Sequence, residues 1–319
     1  MKNKINNKDI LVIVLGAARS GTSLITKSIE SLGFRLSSNL WPADKINPKG
    51  FFEDKDFVLF NSKLLDDDDI FIEHGIINQQ RLNFFYSKYE KEAKELVLKK
   101  IKKERVSLIK DPRLMSLLPF YKIIFNELKI KVAYVICIRH PSAVAQSRQS
   151  AGGTDIISSY YLWYFSYINI LIELKNYKKI VIDYESFLSN PEKHLIKLSS
   201  YLKVGFNRND HKISSFLQSF IDKKMIHFLA KKDSNVFYKN ASYLYSVLKR
   251  NSLSNDLYLN VEASIKHLIK QHQHDNKIHL PFFIELKKKR TMLSDLYRSR
   301  SWRFTYPLRF ISQIFKNIP

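Results

Sequence analysis

The stretch ILVIVLGAARSGTSLITKSIESLG, from Ile10 to Gly33, decides the fold of this chain. It begins with a continuous apolar run, Ile10–Leu15, which is typical of a parallel strand covered on both faces. A loop bounded by Gly16 and Gly21 follows, and an amphipathic pattern from Thr22 to Leu32 then predicts a helix. A buried strand, a small-residue loop and a helix in this order predict a nest of backbone N–H groups that binds a phosphate.

The loop lacks the lysine of a nucleotide-triphosphate P-loop. That pattern, GxxxxGK[ST], places a lysine directly after the second glycine, where it reaches the β- and γ-phosphates. Here Thr22 occupies that position, and the cation of the loop is Arg19. The sequence therefore favours phosphate binding and disfavours a kinase-like protein or ATPase, which remains an alternative. A plain connector between the strand and the helix, with no bound phosphate, is the alternative interpretation of this loop.

Further continuous apolar runs alternate with amphipathic helical patterns along the chain. The runs are Val106–Ile109, Val132–Ile138 and Ile180–Ile182. This alternation predicts an α/β fold, in which a P-loop-like parallel sheet is flanked by helices. The longer run from Ser158 to Leu174 is interrupted by Ser, Asn and Glu, so it predicts a buried helix rather than a membrane span. No run in the sequence reaches the about 18 apolar residues that a membrane span needs.

Helical patterns replace the strands after about Val204. They cover Ser214 to Ala230, Ala241 to Leu248 and Val261 to Gln271, and they predict a helical C-terminal extension. We therefore divide the chain into an α/β core at 1–206, a helical extension packed on it at 207–285, and a basic aromatic tail at 286–319.

Charge and cysteine content narrow the class of protein. The 319 residues contain 53 Lys and Arg against 30 Asp and Glu, a net charge of +23, which favours an anionic partner. A coding bias toward Lys, with a solvated surface, is the alternative explanation. The single cysteine, Cys137, excludes an intramolecular disulfide and a cysteine-based zinc site, and fits a reducing compartment. The N-terminus imitates a signal peptide, but its apolar run is short, Asp9 precedes it, and cleavage would destroy the phosphate loop.

Two motifs together resemble the PAPS-dependent sulfotransferases, whose donor is 3′-phosphoadenosine 5′-phosphosulfate. The segment GAARSGTS, Gly16 to Ser23, resembles their loop for the 5′-phosphosulfate. KVAYVICIRHPSAVAQS resembles their second motif, an Arg at a strand end and a Ser eight positions later that hold the 3′-phosphate; here these are Arg139 and Ser147. The resemblance implies donor contacts from Gly16, Arg19, Ser20, Gly21, Thr22, Ser23, Arg139 and Ser147.

Three further stretches extend this resemblance. SLIKDPRLMSLLPF is similar to an element of the protein-tyrosine sulfotransferases and bacterial relatives that places Lys110 near the transferred group. VIDYESFLSNPEKHLIKLSSYL is similar to a segment in which Tyr184 would meet the adenine. NPKGFFEDKDFVLFNSKLL resembles the stretch of bacterial glycan sulfotransferases that carries the general base, here Glu53. The family therefore implies Glu53, Arg19 and Lys110 as catalytic residues, PAPS as co-substrate and no metal.

The sequence also departs from the family. Cytosolic small-molecule sulfotransferases have a His base where this chain has Pro112, so the acid-based mechanism is preferred, with His74 and His140 as fallback bases. Their C-terminal RKG adenosine clamp is not visible, which leaves part of the 3′-phosphate site unassigned. Neither the carboxylate run Asp66–Asp69 nor the histidines near the C-terminus favour a metal site.

The acceptor and the location follow from resemblance and from the tail. The family likeness implies a hydroxyl of a glycan or lipid-linked glycan acceptor in bacterial surface polysaccharide biosynthesis. Residues 286–319 interleave Trp302 and other aromatics with arginines, a pattern that fits an anionic membrane surface, so we expect a cytoplasmic protein, peripheral at the inner leaflet. A tail that covers the catalytic domain is the alternative. A basic nucleic-acid-binding protein is a rival for the whole chain, but no nucleic-acid-binding motif is present and no nucleic acid is expected.

Overall fold

Four parallel strands form the centre of the protein. A computed structural model describes residues 10–44, 47, 49–66, 79–152, 155–221, 228–253, 266–268, 270 and 292. The strands are β1 (Ile10–Leu15), β2 (Leu108–Lys110), β3 (Lys131–Ile138) and β4 (Lys179–Asp183). Their order in the sheet is β2-β1-β3-β4, and all neighbours are parallel. The predicted α/β fold, a parallel sheet flanked by helices, is confirmed.

Helices connect the strands and follow the last of them. In the described part of the chain the α-helices are α1 (Thr22–Ser31), α2 (Lys55–Asp66), α3 (Gln79–Leu98), α4 (Leu114–Glu127), α5 (Pro141–Ser150), α6 (Ile156–Glu173), α7 (Tyr184–Ser189), α8 (Pro191–Leu202), α9 (His211–Ser215) and α10 (Val236–Arg250). Two π-helical turns, Lys99–Lys103 and Phe216–Phe220, extend α3 and α9. These elements belong to one compact unit, Met1–Ile269; of a second unit, Lys270–Pro319, only residues 270 and 292 are described.

Both faces of the sheet are covered, as the continuous apolar runs predicted. Val12 and Val14 of β1 pack in one buried cluster with residues of α1, α7 and α8. Ile13 and Leu15 are also buried, and because side chains alternate along a strand they lie on the opposite face. The sheet is therefore enclosed, and ligands reach it at the ends of its strands.

Helix α6 supports the loop after β1 from the opposite side. Its aromatic side chains are buried, as the sequence predicted. The Tyr167 hydroxyl donates to the Cys137 carbonyl at 2.5 Å and accepts from the Ala17 N–H at 3.2 Å. The Trp163 indole N–H donates to the Arg139 carbonyl at 3.1 Å. Among the described residues, no helix is long and apolar enough to cross a membrane.

The predicted helix from Ser214 to Ala230 is confirmed over Ser214 to Phe220 and is wrong at 228–230. The helical segment ends at Phe220, Ile221 is extended, and residues 228–235 are not helical. Side chains near α5 bind the backbone there instead. The Phe228 carbonyl accepts from Arg139 at 3.2 Å, and the Lys231 N–H donates to the Ser142 hydroxyl at 2.8 Å.

Other element boundaries differ by a few residues. Strand β2 begins at Leu108 rather than Val106, because the Val106 N–H donates to the Lys100 carbonyl at 2.9 Å, away from the sheet. Helix α10 is longer than the predicted Ala241–Leu248. The predicted helix Val261–Gln271 and the tail at 286–319 lie almost wholly outside the described residues. The predicted boundaries at 206 and 285 stay predictions.

Substitution of Gly21 tests how tightly the loop is packed. Gly21 has φ +83°, and a Cβ there would lie 2.1 Å from Cδ2 of Tyr184. Gly152 has φ +72° but open space around it, so it is a matched control. We expect Gly152→Ala to lower the free energy of unfolding by about 1 kcal/mol through backbone strain alone, and Gly21→Ala by about 2–4 kcal/mol, because overpacking adds to strain. Urea unfolding measures both. Equal losses would contradict the tight contact with Tyr184.

Candidate active site

The loop between β1 and α1 has the backbone of an anion nest. Arg19 and Gly21 both adopt left-handed conformations, at φ +73° and +83°. Helix α1 begins at Thr22, and the first N–H groups of a helix have no partner within it. At Gly16 a Cβ would lie 2.7 Å from Cγ2 of Thr22 and 2.8 Å from the Cys137 carbonyl oxygen, so the loop can close only on a glycine. These N–H groups and the helix dipole favour a bound phosphate.

Two guanidinium groups converge beside this nest. Arg19 Nε donates to Ser147 Oγ at 3.0 Å, and Arg139 Nη1 donates to the Arg19 carbonyl at 3.4 Å. Burial and the nearby Arg139 charge both lower the pKa of Arg19. Two cations held this close repel each other, and a bound anion relieves the repulsion. The structure thus brings the three residues from the two predicted phosphate motifs together.

Other side chains of the protein also contact the Arg139 guanidinium. Its Nε donates to Glu185 Oε1 at 3.3 Å, and its guanidinium lies 4.8 Å from the ring centroid of Tyr184. Burial raises the pKa of Glu185, the neighbouring Asp183 raises it further, and Arg139 opposes both effects. Tyr184 is buried between Arg139 and Gly21, so it positions both; its contact with an adenine stays a prediction.

A second cluster joins Lys110, at the end of β2, to Glu53. Lys110 Nζ donates to Glu53 Oε1 at 2.5 Å and to the Phe51 carbonyl at 2.9 Å. Arg113 Nη1 lies 3.7 Å from Glu53 Oε2. Burial raises the pKa of Glu53, and Lys110 opposes the rise. A carboxylate whose pKa is moved toward neutrality can accept a proton once the lysine turns to another anion.

One carbonyl connects the two clusters. The Phe51 oxygen that accepts from Lys110 also accepts from Ser23 Oγ, at 3.4 Å. Phe52, between Phe51 and Glu53, has φ +56°, a strained conformation for a residue with a side chain. Because Ser23 heads α1 directly after the nest, the carboxylate and the lysine lie next to the phosphate loop.

The remaining predicted residues have other surroundings. Ser20 is fully buried and its Oγ lies 3.3 Å from the Tyr167 hydroxyl oxygen, so its side chain faces α6. His140 is the N-cap of α5, because its Nδ1 accepts from the Ser142 backbone N–H at 3.3 Å, and its ring packs on Tyr245. His74 lies outside the described residues, as do Asp67 to Asp69.

Sequence reasoning missed the groups that fix this site from behind. Asp111 Oδ2 accepts from Asn61 at 2.8 Å, and Asn61 in turn accepts from the Tyr121 hydroxyl at 2.6 Å. Asp111 and Arg113 follow Lys110 in the quoted motif, and that proximity was the available signal. Glu185 likewise follows Tyr184 directly. Within the described part of the chain, no group of His, Cys, Asp or Glu side chains could hold a metal ion.

Comparisons with known proteins give a likeness to two solved sulfotransferase domains. One, from the Synechococcus PCC 7002 olefin synthase, has 16% sequence identity and a TM-score of 0.44, covering 77% of this chain and 98% of that chain. The other, from the curacin biosynthetic pathway, has 14% identity and a TM-score of 0.43, covering 74% and 97%. No protein-family profile matches the sequence, and no curated protein matches it. At these identities and TM-scores neither likeness bears on function, which depends here on the chemistry of the site.

The Glu185 carboxylate competes with any anion that binds Arg139. We expect Glu185→Gln to raise the affinity for inorganic pyrophosphate by about tenfold at pH 8, since it removes the carboxylate charge that competes for Arg139 and leaves only a weaker hydrogen bond to a neutral amide. Glu192→Gln on α8 removes the same charge and should change the affinity less than about twofold, because surface charges are screened. Calorimetry measures both.

The advantage of Glu185→Gln should shrink as the pH falls. The pKa of Glu185 is raised above the usual carboxyl range, so the wild-type carboxyl becomes neutral on acidification and releases Arg139. Wild-type affinity then approaches that of the variant. An equal gain in both variants, or none, would contradict competition at Arg139.

Proposed function

We propose that this protein is a sulfotransferase that transfers the sulfuryl group of PAPS to a hydroxyl of a glycan or glycolipid acceptor. The observation that carries the proposal is the convergence of Arg19, Arg139 and Ser147 at an anion nest, with a lysine–glutamate pair on the adjoining carbonyl. Two separate cationic contacts suit a donor with phosphates at two positions. The site also lies at the carboxyl ends of parallel strands, where ligands bind in open α/β sheets.

The donor is held at its two ends. The N–H groups from Gly21 to Ser23 and the Arg19 guanidinium bind the 5′-phosphosulfate, and Arg139 with Ser147 binds the 3′-phosphate. The Arg19–Ser147 hydrogen bond exchanges for a bond to a phosphate oxygen, which is stronger because both partners are charged, and the second phosphate competes with Glu185 for Arg139. This assignment follows the motif resemblance and is supported by the positions of the four side chains.

The transfer itself needs positioning and charge more than covalent steps from the protein. The acceptor oxygen forms a bond to sulfur while the bond from sulfur to the bridging phosphate oxygen breaks, and the acceptor proton goes to Glu53. Lys110 turns from Glu53 to the bridging oxygen and stabilises the negative charge that develops there. The tight Lys110–Glu53 pair supports this exchange, since donor binding frees the carboxylate to act as a base.

The acceptor class and the location rest on the sequence. The likeness of the NPKGFFED stretch to bacterial glycan sulfotransferases supports a glycan or lipid-linked glycan acceptor and a role in surface polysaccharide biosynthesis. The basic aromatic tail at 286–319 supports peripheral attachment to an anionic inner leaflet from the cytoplasm. No step of the transfer requires a metal ion or a nucleic acid.

Glu53→Gln should separate binding from turnover. The amide keeps the shape and still accepts from Lys110, so the affinity for 3′-phosphoadenosine 5′-phosphate (PAP) is expected to stay within about twofold. Turnover should fall by about 100-fold or more, because the amide cannot accept the acceptor proton. PAP release, with a glycan acceptor selected on the wild type, measures turnover.

The pH profile provides the control for this variant. Wild-type turnover should fall on acidification through the pKa of Glu53, which lies above the usual carboxyl range, and the variant should lack this limb. Unchanged turnover at saturating acceptor would place the base elsewhere.

Arg139→Ala should act on the 3′-phosphate alone. We expect the affinity for PAP to fall by about 10- to 100-fold and the affinity for AMP, which lacks the 3′-phosphate, to change little. Ser147→Ala should show the same selectivity with a smaller loss, since it removes a neutral hydrogen bond. Calorimetry with both nucleotides decides the matter; equal losses for PAP and AMP would remove Arg139 from the 3′-phosphate site.

A further inference from the structure

A basic groove runs along the flank of α1, outside the cluster of donor residues. It is a cavity of about 1060 Å³ between α1, the chain from Gly33 to Leu40, residues 103–105, and α9 with the turn after it. This volume is at the upper end of the range for small-molecule sites, so it holds more than a single sugar ring. We call it the α1 groove.

The α1 groove has an excess of unneutralised positive charge. Arg35, Lys103, Arg105 and Lys212 line it, and none of them has an acidic partner among the described residues. Both acids that line it are already paired. Glu30 forms an ion pair with Lys27, and Glu104 lies 3.1 Å from the buried Lys100. The unbalanced charge therefore favours an anionic occupant over a neutral one.

One end of the α1 groove adjoins the segment that carries Glu53. Leu40 forms an antiparallel bridge with Asp54, and the Trp41 N–H donates to the Glu53 carbonyl at 2.7 Å. On the other side, the Phe220 carbonyl accepts from Lys49 Nζ at 2.9 Å, and its ring lies 6.0 Å from that of Phe52. Because Leu40 and Phe220 both line the groove, its walls continue into the loop around the proposed base.

The cations of the α1 groove lie toward the amino ends of the strands, opposite the ends at which Lys110 and Glu53 lie. The Arg35 carbonyl accepts from the N–H groups of Ser107, at 2.9 Å, and Leu108, at 3.1 Å, where β2 begins. Lys110, beside Glu53, is where β2 ends. Three residue steps lead from Ser107 to Lys110, so the Arg35 carbonyl that binds the Ser107 N–H lies about 10 Å from the level of Lys110.

We propose that the α1 groove binds the distal part of an anionic acceptor chain. This proposal rests on the function proposed above and narrows its substrate class. The acceptor is an oligosaccharide with carboxylate or other anionic groups about 10 Å or more from the hydroxyl that is sulfated, a distance of two or more sugar rings. The hydroxyl reaches Glu53 while Arg35, Lys103, Arg105 and Lys212 hold the charged end. A neutral glycan of the same length lacks these contacts.

Direct binding tests the α1 groove without any turnover. Calorimetry compares hexagalacturonate with the neutral maltohexaose on the full-length protein. We expect the wild type to bind hexagalacturonate at least tenfold more tightly than maltohexaose, and Lys103→Ala/Lys212→Ala to lose about tenfold in affinity for hexagalacturonate. The control pair Lys193→Ala/Lys197→Ala on α8 removes the same charge from exposed positions outside the groove and should lose less than about twofold. Arg35→Gln/Arg105→Gln provides a second groove variant with the same expected loss.

The outcomes separate this proposal from the donor assignment. The affinity of each variant for PAP should equal that of the wild type, which would show that the variants are folded. Failure of PAP to bind the wild type would contradict the proposed function alone. Equal hexagalacturonate affinity in groove and control pairs would overturn the α1 groove as an acceptor site. The proposal would also be overturned if the groove variants lost affinity for a single-stranded oligodeoxynucleotide and kept their affinity for hexagalacturonate. The α1 groove would then bind nucleic acid instead of an acceptor glycan.

Discussion

The architecture of the site depends on keeping Arg19 and Arg139 close together in spite of their mutual repulsion. Arg139 donates to the backbone carbonyl of Arg19, and that backbone is left-handed. Tyr184 lies under the Arg139 guanidinium and against Gly21, so its ring sets the distance between the two strand ends. Glu185 supplies partial compensation of the charge. The folded protein thus holds two cationic side chains at an anion nest, and such a site favours an anionic ligand.

The position of the Lys110–Glu53 pair depends on a buried cluster of charges around Lys100. Lys100 is completely buried, and its ammonium lies 2.8 Å from Asp54 Oδ2, 2.8 Å from Asp56 and 3.1 Å from Glu104. Asp54 Oδ1 accepts from the N–H of Phe57 at 3.1 Å, at the start of α2. Buried charges persist only when they are paired in this way. The strained segment with Glu53 is therefore anchored on its C-terminal side, which keeps the carboxylate on Lys110.

Local sequence patterns predicted the sheet and the side chains at the ends of its strands. They did not predict the features that depend on contacts between residues distant in sequence. The continuous apolar runs identified β1, β3 and β4 because strands covered on both faces need no polar alternation. Arg19 and Arg139 follow strands and Lys110 ends one, so their position at the carboxyl ends of the strands was predictable. The non-helical segment at 228–235 was not, because its backbone binds Arg139 and Ser142 of α5 across the fold rather than its own neighbours. Lys100 was equally hidden, since one lysine among many in a basic chain gives no sign of burial.

Thermal unfolding with nucleotides tests the central claim, that the site is built for two separated phosphates. The melting temperature is measured with PAP, with ADP, and with AMP at equal concentrations. If Arg139 and Ser147 form a distinct 3′-phosphate site, PAP stabilises the protein by several degrees and ADP, whose two phosphates are adjacent, stabilises it much less, because tighter binding to the native state raises the melting temperature further. Stabilisation by ADP equal to or greater than that by PAP would contradict the account.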